Sequence, residues 1–177
     1  MLTGTTVALR PVSALDLDDL HRHLLDGEAR GPWYPLPRTS LTRLRRSFED
    51  SGFWSEDDGI FLIVTPEGGV LGLISWERLN SDTPDVELGY RLFSVADMGA
   101  GATTEALRLL TSYLFDTSAR TNRLRLVIHV DNVASRRVAE KGGFSKECTA
   151  REAWHHCGTW HDVDVFTLTR AEWTAQR

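Results

Sequence analysis

Cysteine is nearly absent from this 177-residue chain: Cys148 and Cys157 are its two copies, too few for a disulfide framework. Long apolar runs are missing too, since no segment reaches the about 18 uninterrupted apolar residues of a membrane span. The opening stretch, MLTGTTVALRPVSALDLDDL, has no cationic start followed by an apolar core, so it does not read as a secretory signal. Positive charge is not in excess. Lys and Arg number 20 against 25 Asp and Glu, and the formal charge of −5 argues against a nucleic-acid surface. There are no repeats, linkers or low-complexity tracts. What remains is the composition of a globule, 41% hydrophobic and 25% charged, expected to form one domain over 1–177 in the cytoplasm.

The hydrophobic pattern orders the elements. Val7 to Val12 reads as a strand. Ser13 can cap a helix over Leu15 to Asp26, with Leu17, Leu20, Leu24 and Leu25 on one face. GPWYPLPRTS, with three prolines, is a loop, and Thr39 or Ser40 opens a second helix carrying Leu41, Leu44 and Phe48. IFLIVT and VLGLISWER, separated by PEGG, read as a hairpin, and DVELGYRLF as a third strand. A helix over Thr103 to Asp116 carries the stripe Leu107, Leu110 and Leu114. The nearly all-apolar LRLVIHV suits a strand covered on both faces. A short helix, Asn132 to Lys141, stops at Gly142-Gly143, and two strands follow, around Lys146 to Ala153 and Val163 to Thr169.

The turn in front of the third helix reads MGAGATTEA, with glycines at 99 and 101. Glycine lets other atoms approach the backbone and accepts φ > 0, and a helix start leaves amides unpaired. The pair makes either an anion cradle or a tight connection without a ligand. A dinucleotide-binding Rossmann unit is excluded, because G-x-G-x-x-G lacks its third glycine here and strands and helices do not alternate throughout.

DVELGYRLF, MGAGATTEALRLL, HVDNVASRRVAEKGGF and GTWHDVDVFTL together resemble the GNAT acetyltransferases, most closely the branch of ribosomal-protein N-terminal acetyltransferases. The resemblance covers nearly the whole chain. It implies an α/β (α+β) fold with a mixed, mostly antiparallel, splayed sheet of six to seven strands and about four helices. It also implies acetyl-CoA as co-substrate: pyrophosphate on the backbone of Met98, Gly99, Ala100, Gly101, Ala102 and Thr103, and pantetheine along Phe93, Ser94 and Val95, with Asn132 beside it. The family's basic residues at the positions of Met98 and Ala100 are missing, so the cradle keeps its amides without cations, and Arg136 or Arg137 is left to supply charge.

Acetyl transfer from a thioester needs the amine held in line and its proton removed. Glu87, opposite in alternation to Val86 and Leu88, is the candidate base; the plain alternative is a surface carboxylate. Ser135, one turn after Asn132, is the candidate acid for the thiolate; the plain alternative is a residue merely near a helix start. Trp33, Tyr34, Trp54 and Trp76, with Glu87 and the acids of SEDD, Asp82 and Asp85, suit a cationic amine or else divide between core and solvated face. HHCGTWH places Cys157 and His161 four apart near a hairpin turn, without the paired spacings of a zinc site, so no metal is expected; its histidines and Trp160 line the acceptor end of the cleft or form an exposed tip.

These residues imply an acetyl-CoA-dependent N-acetyltransferase that acts directly on a primary amine, of a protein N-terminus or a small molecule. The alternative is a non-catalytic acyl-CoA-binding domain serving as sensor or scaffold. The expected partners are that amine and, in assembly, a second copy of the chain, with no nucleic acid and no membrane.

Overall fold

A computed structural model describes residues 1–27, 32–33, 39–80 and 85–177. Its described residues form one eight-stranded sheet and five α-helices. In chain order these are β1 (Leu2–Thr3), β2 (Ala8–Pro11), α1 (Leu17–Leu25), α2 (Leu41–Ser51), β3 (Asp58–Val64), β4 (Val70–Arg78) and β5 (Asp85–Leu92). There follow α3 (Ala102–Thr117), β6 (Arg123–His129), α4 (Val133–Lys141), β7 (Ser145–His156), β8 (Thr159–Thr169) and α5 (Arg170–Ala175). β1 and α5 extend the expected count at the two ends of the chain.

The sheet order is β1-β2-β3-β4-β5-β6-β8-β7, antiparallel everywhere except between β5 and β6. Helices cover both faces. On one, Ala106, Leu107, Leu110 and Leu114 of α3 pack onto Val86, Leu88, Leu124 and Leu126. Leu107 and Leu110 are fully buried, so truncating either to Ala would cost about 2–5 kcal/mol. On the other face, Leu17 and Leu20 of α1 and Leu44 and Phe48 of α2 cover Leu62 and Val64.

Local chemistry sets the helix ends. Ser13 and Asp16 form a reciprocal capping box before α1, and the Ser40 hydroxyl accepts from the Arg43 amide at 3.2 Å to start α2. Arg91 on β5 caps the other end of α1, donating to the carbonyls of His23 at 2.7 Å and Asp26 at 3.2 Å. Arg170 does the same beyond α3, reaching Phe115 O and Ser118 O at 2.6 Å each. These two arginines fix α1 and α3 against opposite ends of the same sheet.

Candidate active site

β5 and β6 pair over three positions, Asp85↔Arg123, Val86↔Leu124 and Glu87↔Arg125, and then part. β5 continues to Leu92 against β4 alone, while β6 continues to His129 against β8. The start of α4 stands at the gap, where the Tyr90 hydroxyl donates to the Ser135 carbonyl at 3.1 Å. The opening is a cleft of about 330 Å³, lined by Glu87 to Tyr90 on one side, Leu126 to His129 on the other, and Asn132 and Ser135 from α4.

Glu87 stands where the strands separate. Its Oε2 accepts from Arg125 Nε at 2.9 Å and Nη2 at 2.8 Å. The pair is partly exposed, which makes it worth no more than about 1 kcal/mol, so its effect is to aim the carboxylate. Gly89, next on the same face, also lines the cleft, and a Cβ built on it would meet Ser75 Oγ at 3.2 Å.

Ser135 and Asn132 divide the labour that their spacing left open. Asn132 is the N-cap: its Oδ1 accepts from the Ser135 amide at 3.1 Å. The Ser135 hydroxyl has no hydrogen-bond partner among the described residues, and the residue lines the cleft. It is free to donate to a ligand.

The glycine turn follows β5. A 3₁₀ turn, Val95–Asp97, is capped by the Ser94 hydroxyl, which accepts from the Ala96 amide at 3.1 Å. Gly99 (φ 86°) and Gly101 (φ 89°) are both left-handed, and a Cβ built on either would meet nothing within 4 Å. Among the described residues no hydrogen bond claims the amides of Gly99, Ala100, Gly101, Ala102 or Thr103. Open space, positive φ and free amides fit a diphosphate. Met98 and Val95 beside the turn are exposed and carry no charge. Phe93 is instead buried, its ring stacked on His23 at 4.4 Å and its amide donating to Leu71 O at 2.8 Å, which leaves its carbonyl for any cofactor contact.

Glu105 anchors the same helix from behind. It accepts from the amides of Thr5 and Thr6 and from the Thr6 hydroxyl. Burial would raise its pKa, but these hydrogen bonds outweigh burial and hold it below the usual carboxylate value. Arg136 is not available to a phosphate as expected: it pairs with buried Asp164 at 3.3 Å and donates to Val130 O. Arg137 is exposed and forms no ion pair among the described residues.

The aromatic residues split. Trp33 lines the cleft and packs on His129, with ring centroids 4.3 Å apart. Trp54 and Trp76 do not reach it. They lie 4.7 Å apart in an edge-to-face cluster with Phe61 and Tyr113 on the α3 side of the sheet, as core. Tyr34 and Asp82 fall outside the described residues. The acids of SEDD build a turn, with Asp57 on Arg78 at 2.9 Å, and Asp85 pairs with Arg123 at 3.2 Å. Trp160 packs at a tilt against His155 at the exposed hairpin tip, with ring centroids 5.0 Å apart. Among the described residues no group of three or more His, Cys, Asp or Glu could hold a metal ion.

The cleft also holds His129 and Trp154, which pattern reasoning passed over. The signal for His129 was a polar residue closing the apolar run LRLVIHV. Trp154 gave none, because a bulge aims it. Three residues of β7, 151 to 153, face one on β8 between the pairs Ala150↔Val163 and Trp154↔His161. Glu152 sits at φ 49°, its amide bonded to Asp162 at 2.9 Å.

Such a sheet, parted beside a glycine turn, defines an acyltransferase. Residues 6–145 match the family described as acetyltransferase (GNAT) domain, and the chain belongs to it. The probable N-acetyltransferase YjcK of Bacillus subtilis (strain 168) is 37% identical over 183 residues, covering 95% of this chain and 96% of that protein. RimL, a ribosomal L7/L12 alpha-N-protein acetyltransferase solved in complex with coenzyme A, has a TM-score of 0.82 at 22% identity, over 94% of this chain and 95% of its own. The spermidine N-acetyltransferase from Vibrio cholerae, in complex with CoA and spermine, has a TM-score of 0.83 at 17% identity, over 97% and 99%. At those identities the two structures establish the fold, a mixed and mostly antiparallel α/β sheet. Among the described residues no helix is long and apolar enough to cross a membrane.

Proposed function

We propose that the chain transfers the acetyl group of acetyl-CoA directly to a primary amine, the α-amine of a protein or peptide or the amine of a small molecule, in the cytoplasm. The observation that carries this reading is the parting of β5 and β6 immediately after Glu87 and Arg125. It leaves one edge of β5 without a strand partner from Leu88 onward, bounded by the free hydroxyl of Ser135. Pantetheine would extend along that edge, and its pyrophosphate would rest on the amides of Gly99 to Thr103.

Bound acetyl-CoA supplies a reactive thioester, so the protein's part is alignment and proton traffic. Glu87, aimed by Arg125 through Oε2, keeps Oε1 to accept the amine's proton, directly or through a water. An α-ammonium needs little help, since its pKa is near 7.7–8.0. Ser135 Oγ–H donates to the departing sulfur, and Tyr90 holds the Ser135 carbonyl so that the hydroxyl stays in place. Cys148 and Cys157 are exposed on the β7–β8 hairpin and do not line the cleft, so nothing there favours an acyl-enzyme.

The test is purified protein with acetyl-CoA and a panel of amines, followed by thiol release. Amine-dependent thiol release is expected. Release no faster than hydrolysis with every amine, despite a CoA-induced rise in melting temperature, would leave a binding domain in its place.

A further inference from the structure

Ser135 lines the cleft, yet its hydroxyl makes no hydrogen bond among the described residues. No contact ties the hydroxyl itself, so the backbone of the first turn of α4 decides where Oγ stands. That turn spans the gap between the parted strands. Asn132 shapes it from within, through the Ser135 amide. From the β5 side, Tyr90 holds the Ser135 carbonyl. From the β6 side, the tie is the next residue, Arg136.

Arg136 is bound in two places at once. Its Nη1 donates to Val130 O at 3.2 Å, just past the end of β6, and its Nε pairs with Asp164 Oδ2 of β8 at 3.3 Å. Asp164 is shared out oxygen by oxygen. Oδ1 serves β7, accepting from Thr149 Oγ1 at 2.6 Å and Lys146 Nζ at 2.7 Å, while Oδ2 is left to Arg136. The Asp164 side chain is 2% exposed and that of Arg136 35%. For so buried a carboxylate, desolvation offsets most of the attraction, and an ion pair is weak evidence of net stability. Lys146 and Thr149 would also keep Asp164 paired without Arg136. What the contact to Arg136 adds is a fixed place for α4 against β6 and β8.

We infer that Arg136, held by Asp164 and Val130 O, is a positioning residue for Ser135 and sets its hydroxyl where it meets the sulfur of coenzyme A. The inference rests on the acetyltransferase reading above, in which Ser135 donates to the departing thiolate. Placement of such a group matters steeply, since a shift of about 1 Å can cost on the order of 10²-fold in rate. One hydrogen bond from Tyr90 would let the turn pivot. Arg136, on the other side of the gap, blocks that pivot. The same two contacts account for its absence from the phosphate cradle.

The test reads the thiol of bound CoA, so it needs no acceptor. A donor that stabilises the departing thiolate also stabilises the thiolate of bound CoA and raises its acid constant. Thiolate absorbance is followed as pH rises, as the difference between the CoA complex and the complex with desulfo-CoA, which lacks the thiol. The subtraction removes the signal of Cys148 and Cys157. Ser135→Ala should lower the acid constant by about tenfold, the value of one hydrogen bond, and Arg136→Met by most of that. In a Ser135→Ala background, Arg136→Met should add little, because no hydroxyl remains to be misplaced. Lys146→Met, which leaves Oδ2 with Arg136, should keep the unaltered value. Arg136→Gln, which keeps a donor but is too short to reach both partners, stands in if the Met variant does not fold. A folded Arg136 variant with the unaltered acid constant would overturn the inference. So would an equal loss with and without Ser135, which is the guanidinium charge acting on the sulfur directly, or an equal loss in Lys146→Met, which is general loosening. An unaltered constant in Ser135→Ala would take the inference down together with the role of Ser135. No CoA-induced rise in melting temperature in the unaltered protein would bring down the acetyltransferase reading itself.

Discussion

Glu87 and Arg125 face each other across the last rung of the β5–β6 ladder, the guanidinium gripping a single carboxylate oxygen through two nitrogens at 2.9 and 2.8 Å. The grip leaves Oε1 outside the ion pair on a residue that lines the cleft. Glu87→Gln should lower kcat by about 10²–10⁴-fold, with a smaller effect on the KM for acetyl-CoA, and flatten the acid limb of the pH–rate profile. Arg125→Gln should lower kcat less, since the base survives but is no longer aimed. Steady-state rates across pH for both variants check this, and turnover of Glu87→Gln equal to the unaltered enzyme at every pH would make the carboxylate an ordinary strand residue.

Ser135→Ala should cut kcat and kcat/KM together by about tenfold to a hundredfold, as expected for a hydrogen bond to developing charge of about 1.5–3 kcal/mol. Its melting temperature should barely move. The structural contacts of Ser135 run through its backbone, to Asn132 Oδ1 and the Tyr90 hydroxyl. Asn132→Ala should show the opposite balance in stability, losing about 1 kcal/mol of capping. Differential scanning fluorimetry and turnover on the two variants separate cap from chemistry.

Gly101→Val should fold, because its Cβ meets nothing within 4 Å, yet carry strain from φ 89° of about 1–2 kcal/mol. The added side chain enters the space above the free amides. Saturation with CoA at 100 times Kd stabilises the unaltered protein by about 2.7 kcal/mol. Calorimetric melts should show that increment and show it lost in the variant.

Acid should unfold the protein through two carboxylates, buried Asp164 and half-buried Asp16. Asp164 is held below the usual carboxylate value: burial opposes this, but Lys146 at 2.7 Å, the Thr149 hydroxyl and Arg136 prevail. Arg10 does the same for Asp16, against burial and with help from Ser13. Carboxylates depressed in the folded state add stability that is full above their unfolded values, near 4, and is lost as pH falls through the folded ones. His129, depressed in the folded state, adds a loss that begins as pH falls through its unfolded value near 6.5. Urea melts from pH 7 to 3 should fall in both windows. Asp164→Asn should lower stability at pH 7 and flatten part of the lower window, since it removes the carboxylate that Lys146, Arg136 and Thr149 hold.

Much of this site could be read in sequence because its causes are local. MGAGATTEA allowed an open turn or a tight connection, N-V-A-S allowed a cap or a reactive hydroxyl, and the family resemblance pointed both toward a cleft; the local part of each depends on residues within one helical turn of each other. Trp54 and Trp76 could not be told from Trp33, because period-2 alternation says which faces a strand has, not which face is the core when both are covered. The bulge that delivers Trp154 is a mismatch between two strands, visible only once their register is known. Arg91 and Arg170 cap helices 65 and 52 positions away, His23–Asp26 and Phe115–Ser118, and long-range caps have no sequence signature.

The shortness of the β5–β6 ladder also sets how this strand meets solvent deuterium. Between Leu88 and Leu92, alternate amides point to β4 and are protected by its ladder. The intervening ones point into the gap and are open to water. Neighbouring amides on one strand therefore exchange on very different timescales, and a molecule laid along the free edge would slow one set while leaving the other as it was.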